Sequence, residues 1–584
     1  MQSKSSLLSA SKQSAATNHD QNVLFSWRIQ LSWDVIVIGS GMTGGLAAKE
    51  LADKGFSVLV LEKGRNEGYA DCHYKEVDPS LVPADFKSTT ESDYFVQNEC
   101  YMYNSSTQRL FNNDRESPYV DSPTPFTWIR TNAVGGRSLL WGGGSYRWSD
   151  LDFAAPTKDG FGDKWPICYG DLEPWYSYVE NVMGVAGNLD HLQHLPNGDF
   201  LPPFHLTSLE KKMKAKLSGM DPSRQLIIGR VAALTQAHKG RSADITKNDD
   251  DGSLHFTDRH FNSLSTTLPL AMKSGRVKVI SGVIVYKLEY DAKSKKVKSV
   301  LALDEATGEQ CKYEGKIIFM CASTISTTHI LLQSSSESFP SGLGNTSGVL
   351  GHYLMDHFSM ICGVGVLYNE PMSETGSMRP TTSYLARFSN LDGSDSIFHR
   401  GYSYIGWEGS IESSAAQGGF NASDKRAIHR YKNSRTYTLM GLGECLPYYD
   451  NSVTLDPYAR CKHGLPAPKI EFRFRENEYL QAESMVSEAN KMLRLCGFDE
   501  VMINNRMSTG GESVHEMGTA KMGSNPTKSF LNKHNQSHDV ANLFITDGSC
   551  MVTSSNIHPT LTYMALTARA CEFLATEFSS IVNS

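Results

Sequence analysis

The sequence predicts an α/β protein in which one domain, built on a parallel sheet, is interleaved with an α+β domain built on an antiparallel sheet. Three observations predict it. The apolar run Asp34-Val35-Ile36-Val37-Ile38 leads straight into Gly39-Ser40-Gly41-Met42-Thr43-Gly44 and then into an Ala- and Leu-rich stretch. The segment from Met360 to Phe474 is rich in Tyr, Ser and Gly and carries short alternating runs. Near the end, Leu561, Met564, Ala565, Ala568 and Leu574 recur at helical spacing.

Each element follows from its own pattern. Residues 34–38 are a continuous apolar run, the signature of a strand buried on both faces. Leu46 to Lys54 reads as a helix, with Gly55 placed to end it. Ser57 to Leu61 is a second apolar strand ending at Glu62. Val277 to Tyr286 and Val297 to Asp304 read as strands of a hairpin or meander, and Lys316 to Met320 as a further buried strand. The alternating runs of 360–474 predict antiparallel sheet. Glu478 to Leu495, with Leu480, Met485, Ala489, Met492 and Leu493 on one face, predicts a helix lying on that sheet. The chain contains no internal repeat.

Bulk properties exclude several classes. With 40% hydrophobic and 20% charged residues, the 584-residue chain can bury a large core. A net charge of −7 gives no basic footprint for nucleic acid. The closest of the 11 cysteines, Cys311 and Cys321, are ten positions apart, which argues against zinc, an iron–sulfur cluster or a haem attachment site. The acidic stretch Asn248-Asp249-Asp250-Asp251-Gly252 fails as a calcium loop, because Lys247 stands where the first Asp ligand belongs. No segment approaches the ~18 uninterrupted apolar residues of a membrane helix. Residues 1–32 are polar and lack the apolar core of a secretory signal, so they are read as an extension. The default expectation is a cytoplasmic protein, the alternative being periplasmic export alongside a partner that carries its own signal.

Gly39-x-Gly41-x-x-Gly44, between a strand and a helix, is a Rossmann-type dinucleotide fingerprint. Gly39 permits the tight turn, Gly41 lets a pyrophosphate approach the backbone, and Gly44 lets helix and strand pack closely. The helix N-terminus offers free N–H groups to the phosphates. Glu62, 18 residues beyond Gly44, is placed to accept hydrogen bonds from a ribose. This unit alone does not decide between NAD and FAD.

The second informative region is His515-Glu516-Met517-Gly518-Thr519-Ala520-Lys521-Met522-Gly523, then Asp547-Gly548, then Asn556-Ile557-His558-Pro559-Thr560. Pro559 suits the first position of a helix, and its extended predecessor His558 then stands at the helix mouth. Alone, a histidine at a helix mouth is more often a cap than a catalyst, His515 reads equally as a core histidine, and Asp547-Gly548 as a turn.

Together these segments resemble the glucose–methanol–choline (GMC) family of flavin oxidoreductases. The similarity runs through nearly the whole chain after Trp33. It includes Val134-Gly135-Gly136-Arg137-Ser138-Leu139-Leu140-Trp141-Gly142, Cys321-Ala322-Ser323-Thr324, Gly344-Asn345-Thr346-Ser347-Gly348 and Leu354-Met355-Asp356-His357. Trp128-Ile129-Arg130, residues 145–153 and residues 561–570 look most like the glucoside 3-dehydrogenase branch. Gluconate 2-dehydrogenase large subunits stand close to it, and pyranose 2-oxidase is a cousin.

The resemblance implies FAD rather than NAD. It implies that His515 is the active-site base, with His558 at the partner position. Gly135, Gly136 and Ser138 would lie along the isoalloxazine and pyrophosphate. Cys321 and Ala322 belong to a shared cofactor-side segment. Asp547, Gly548, Pro559 and Thr560 would contact the flavin, and the backbone of Val283 the adenine. Leu140 stands where pyranose oxidases carry a flavin-linked histidine, so the FAD is expected to be non-covalent. No cysteine lies between Cys168 and Cys311, which counts against the cluster that some relatives carry upstream of Ser265-Thr266-Thr267-Leu268-Pro269.

The expected domains are 33–145, 265–350 and 505–584 for FAD, and 146–264 with 351–504 for substrate. The expected reaction is oxidation of a sugar or glycoside secondary hydroxyl to a ketone. A histidine takes the proton, the hydride goes to flavin N5, and electrons leave to an external acceptor: a quinone, a cytochrome or oxygen. A small partner subunit is a further expectation. The alternatives are a peroxide-producing sugar oxidase, an FAD-containing lyase, and a non-catalytic flavin-binding subunit.

Overall fold

The computed structural model describes residues 32–66, 93–105, 107–243, 260–370, 379–391, 397–410 and 434–583. The acidic stretch at 248–252 and nearly all of the N-terminal extension lie outside them.

The first sheet has seven strands. Their order is Val277–Ile280, Val58–Leu61, Trp33–Ile38, Gln310–Met320, Lys296–Asp304 and Val283–Asp291, with Leu543–Ile545 added beside Gln310–Met320. Five of these strands run parallel. Lys296–Asp304 and Val283–Asp291 form an antiparallel ribbon on one end. Both faces of the central strand are buried, as its unbroken apolar run requires. Val35 and Val37 pack with Ala47, Ala48 and Leu51 of the helix Met42–Asp53 and with Ala570 and Leu574 of the helix Thr560–Asn583.

The run Val277 to Tyr286 is not one arm of a hairpin. It breaks at Gly282, where φ is +71°. Before the break it pairs in parallel with Val58–Leu61, and after it pairs antiparallel with Lys296–Asp304. A left-handed glycine turns the chain out of the parallel sheet and into the antiparallel ribbon, which an apolar pattern alone does not reveal.

The second sheet is antiparallel, in the order Glu500–Ile503, Phe358–Leu367, Arg435–Gly443, Tyr402–Ser410, Ser383–Leu385 and Leu226–Ile228. The helix Glu476–Cys496 covers one face, packing Met485, Ala489 and Met492 against Met360, Cys362 and Tyr404. Strand alternation turns Ile361, Ile405, Trp407 and Met440 to the other face, which looks into a cavity. Among the described residues, no helix is long and apolar enough to cross a membrane.

Candidate active site

The carboxyl ends of the parallel strands meet the open face of the second sheet across one cavity of about 1110 Å3. Ligands of open α/β sheets bind beyond the strand ends. A pocket for one drug-sized ligand takes ~300–1,000 Å3, so this cavity lies at the large end, as an extended cofactor requires.

The glycine fingerprint divides its labour. A Cβ on Gly39, whose φ is +100°, would lie 2.3 Å from the Cys321 carbonyl oxygen, and one on Gly44 would lie 2.0 Å from the Gly39 carbonyl oxygen. Both positions are closed to side chains by the backbone. Gly41 differs, because a Cβ there meets only the Gly135 carbonyl oxygen, at 3.9 Å. Gly41 caps the helix Met42–Asp53, whose first turn holds no acidic residue. The helix thus presents an uncompensated positive end to the cavity, as an anionic pyrophosphate requires.

Glu62 braces this loop. Its Oε2 accepts hydrogen bonds from Ser40 N (2.8 Å) and Ser40 Oγ (2.6 Å), and its Oε1 accepts one from Gly64 N (2.7 Å). A carboxylate accepts about four hydrogen bonds, so Oε1 keeps one place for a ribose hydroxyl. The loop at Gly135, itself left-handed at φ +96°, is tied to the fingerprint by a bond from Gly135 N to Ser40 Oγ (2.9 Å). Ser138 Oγ donates to the Gly135 carbonyl (2.6 Å) and accepts from Ser263 N (3.1 Å), so its hydroxyl holds the loop in shape.

Ser40, Met42, Thr43, Gly136, Val283, Ala322, Gly548 and Thr560 all line the cavity, whereas Gly44, Gly135 and Pro559 do not. The N–H of Val283 is spent on the Glu62 carbonyl (2.9 Å), which leaves its own carbonyl for any adenine contact. Cys321 lies against Thr546 (3.4 Å), with burial pushing its thiol up to about 12. Asp547 is spent on the loop, accepting from Ser549 N (3.1 Å) and Ser549 Oγ (2.6 Å). The last helix begins at Thr560, one residue later than the proline suggested, and the Pro559 carbonyl accepts its first bond, from Tyr563 N (3.0 Å).

The two predicted histidines meet. The rings of His515 and His558 lie 5.4 Å apart, nearly perpendicular at 77°, on the cavity wall. His558 is held by ring stacking on Tyr146 (5.6 Å, 29°) and sits where Gly144 has no side chain, since a Cβ there would come within 3.2 Å of the ring. The loop before it is pinned from two sides: Ser403 Oγ donates to the Asn556 carbonyl (3.1 Å) and Trp148 Nε1 to the Ile557 carbonyl (3.3 Å).

A third histidine has no counterpart in the expectation. His357 Nδ1 lies 3.0 Å from His515 Nδ1, and His357 Nε2 lies 3.0 Å from the Ser554 carbonyl oxygen. Two short segments align them. Met355 and Met517 exchange backbone hydrogen bonds at 2.9 and 2.8 Å, which sets Asp356-His357 against His515-Glu516. The Asp356 carboxylate accepts from His515 N (3.0 Å) and Gly511 N (2.8 Å). Asp356-His357 carries a sequence signal, as the end of the resembling segment Leu354–His357, but nothing local links it to residues some 160 positions away.

Burial shapes the electrostatics. It holds His357 down to about 4 and His558 to about 3. His515 lies well below the usual imidazole value, first through burial and then through His357, His558 and Arg137. All three rings are therefore neutral near pH 7. Asp356 is pushed up to about 8, by burial and then by Glu516. Neutral imidazoles beside a dinucleotide cradle suit removal of a proton from an alcohol as hydride leaves its carbon.

Comparisons agree with this geometry. Residues 34–359 and 447–567 match the family GMC oxidoreductase. The chain is 27% identical over 571 residues to 2-methyl-1,2-propanediol dehydrogenase of Mycolicibacterium austroafricanum, covering 94% of this chain and 96% of that one. It is 24% identical over 562 residues to the fructose dehydrogenase large subunit of Gluconobacter japonicus, covering 93% and 97%. Its fold is similar to that of an FAD-dependent oxidoreductase from Chaetomium thermophilum, with a TM-score of 0.58 at 12% identity over 94% of this chain and 100% of that one. The chain belongs to the GMC oxidoreductases and is an FAD-dependent enzyme that oxidises alcohol groups.

Proposed function

We propose that the protein oxidises a secondary hydroxyl of a sugar or glycoside to a ketone and passes the electrons to an external acceptor. The observation that carries this reading is Trp407. Its indole lines the cavity, and its Nε1 is buried without a hydrogen-bond partner among the described residues. An indole offers a flat apolar face to the C–H side of a sugar ring and an N–H to a hydroxyl. Arg379 and Arg137, which also line the cavity, are paired with Glu210 and Glu516, so neither offers an unmatched charge, as suits a neutral substrate.

Bound FAD supplies the hydride acceptor, held non-covalently; Leu140, on the cavity wall, has no nucleophilic atom. His515 takes the hydroxyl proton, and His558 gives the second hydrogen bond to the same oxygen. The fingerprint loop and the Gly135 loop would hold the cofactor in the cavity that both histidines line. A general base of this kind contributes ~10²- to 10⁴-fold.

A second reading rests on the same sheet face. Ile361, Met440 and Ile405 sit in register on three adjacent strands and give the cavity an apolar floor. Such a floor suits a small branched diol, and the relative from Mycolicibacterium austroafricanum is named for one. An acceptor subunit belongs to the proposal too, on the likeness to a protein named as a large subunit.

The deciding experiment is an anaerobic visible spectrum of the holoenzyme with glucose, methyl glucoside or 2-methyl-1,2-propanediol. Bleaching of the flavin by either sugar supports the first reading, and bleaching by the diol alone supports the second. Flavin that stays oxidised with all three overturns both. Slow reoxidation in air supports an external acceptor other than oxygen, and rapid reoxidation with peroxide makes oxygen the acceptor.

A further inference from the structure

His357 is buried, touches both His515 and the loop carrying His558, and has no part in the chemistry described so far. Its two hydrogen bonds are not interchangeable. The Ser554 carbonyl oxygen only accepts, so the His357 Nε2 that lies 3.0 Å from it carries a proton. A neutral imidazole has one proton, so His357 Nδ1 is a lone pair. The atom facing it at 3.0 Å, His515 Nδ1, must then be the donor. His515 is neutral too, and its only proton is thereby assigned to Nδ1.

We propose that His357 is a positioning residue that fixes the tautomer of His515, with the Ser554 carbonyl as the anchor of the relay, so that His515 Nε2 is an unprotonated acceptor for the substrate hydroxyl. The inference rests on the reading of His515 as the base. Without the relay, His515 would divide between two tautomers, and the one protonated on Nε2 cannot take a proton there.

The relay also acts after proton transfer. With FAD bound to supply the hydride acceptor, the hydroxyl proton would go to His515 Nε2 as the O–H bond breaks and the substrate carbon gives up its hydride. His515 then carries protons on both nitrogens. Its Nδ1–H still donates to the His357 lone pair, so the new charge is met by an oriented acceptor, and His357 takes no proton. Burial opposes a charged His357, whose value lies near 4. A charged His357 would donate from both nitrogens and reverse the tautomer of His515.

The test uses the holoenzyme in two measurements. Neutron diffraction of deuterated crystals at pH 7 should show deuterium on His357 Nε2 and His515 Nδ1, with none on His357 Nδ1 or His515 Nε2. Deuterium on His515 Nε2 with Nδ1 bare would overturn the proposal without any reference to activity. Anaerobic stopped-flow reduction by methyl glucoside then compares His357→Leu, His357→Asn and His515→Ala. His357→Leu, which has no acceptor, should slow flavin reduction by about tenfold or more at unchanged FAD content and little-changed KM. His357→Asn, whose Oδ1 takes the place of Nδ1, should restore the rate to within about threefold. Equal losses in both His357 variants would make the role one of packing and overturn the inference. If both reduce normally while His515→Ala does not, the base reading stands and the relay fails; if His515→Ala also reduces normally, the base reading itself has failed.

Discussion

Arg137 of the glycine loop and Glu516, the residue after His515, form a two-pronged ion pair on the cavity wall, Nη1 to Oε1 at 3.0 Å and Nη2 to Oε2 at 2.7 Å. The partners are unequally buried: the Glu516 side chain is 1% exposed and that of Arg137 27%. Removing one partner of a buried pair costs most when the survivor is the deeper charge. Arg137→Met should therefore destabilise the holoenzyme by about 3 kcal/mol and lower its FAD content, because it leaves Glu516 facing Asp356 without a cation. Glu516→Gln should cost clearly less, since Arg137 still reaches water. Thermal unfolding of both variants checks the order, and an equal or reversed order would contradict it.

Gly41 and Gly44 make a second comparison. An alanine at 44 drives its methyl into the backbone of Gly39, whereas an alanine at 41 meets no atom closer than 3.9 Å. The φ of Gly41, −67°, is open to any residue. Gly44→Ala should therefore lower the melting temperature of FAD-stripped protein. Gly41→Ala should leave it nearly unchanged but reduce FAD affinity, because its methyl takes up space the pyrophosphate needs. Melting curves with and without added FAD separate the two effects.

How much of this was legible in the sequence depends on how local each cause is. The strand-glycine-helix unit, the place of Glu62 at a strand end and, to within one residue, the start of the last helix are set by neighbours within some 20 residues, and the structure has these elements there. The break at Gly282 was hidden because an apolar run reads the same whichever strand it pairs with. His357 was hidden for a deeper reason. Its role depends on residues 355–357 pairing with 515–517 and on the Ser554 carbonyl, contacts made only once the chain has folded. Glu62, Ser138 and Asp547 were expected to face the cofactor; each also spends hydrogen bonds on holding its own loop.

Trp407 yields a prediction about substrate size. Trp407→Phe keeps a flat ring but loses the Nε1 donor. A neutral hydrogen bond contributes ~1 kcal/mol, so KM for a sugar substrate should rise by about fivefold with the flavin reduction rate little changed. KM for 2-methyl-1,2-propanediol, which has a single hydroxyl besides the one oxidised and so fewer groups to present to Nε1, should rise less. Steady-state kinetics with both alcohols tests this, and an equal rise for both would detach Trp407 from sugar recognition.

The three neutral imidazoles fix how stability responds to acid. A histidine held below its unfolded value of ~6.5 binds fewer protons in the folded state than in the unfolded one. Its contribution is fully present above pH ~6.5 and is lost as pH falls through the folded value, about 4 for His357 and about 3 for His558. His515, well below the usual value, acts in the same direction, and so does His329, also held to about 4 by burial. Asp356 opposes them: raised to about 8, it favours the folded state below that pH and loses this contribution as pH rises through it. Below pH ~6.5 four histidines outweigh one aspartate, whereas between ~6.5 and 8 the aspartate acts alone among these groups. The melting temperature of the holoenzyme should therefore peak near pH 6.5 to 7, fall steeply towards pH 4, and fall gently towards pH 8. His558→Asn should shallow the acid limb and leave the alkaline limb unchanged, because it removes one imidazole and leaves Asp356 in place. Melting curves at half-unit intervals from pH 4 to 9 decide it, and an acid limb of equal slope in variant and wild type would mean that His558 takes up its proton without opening the site.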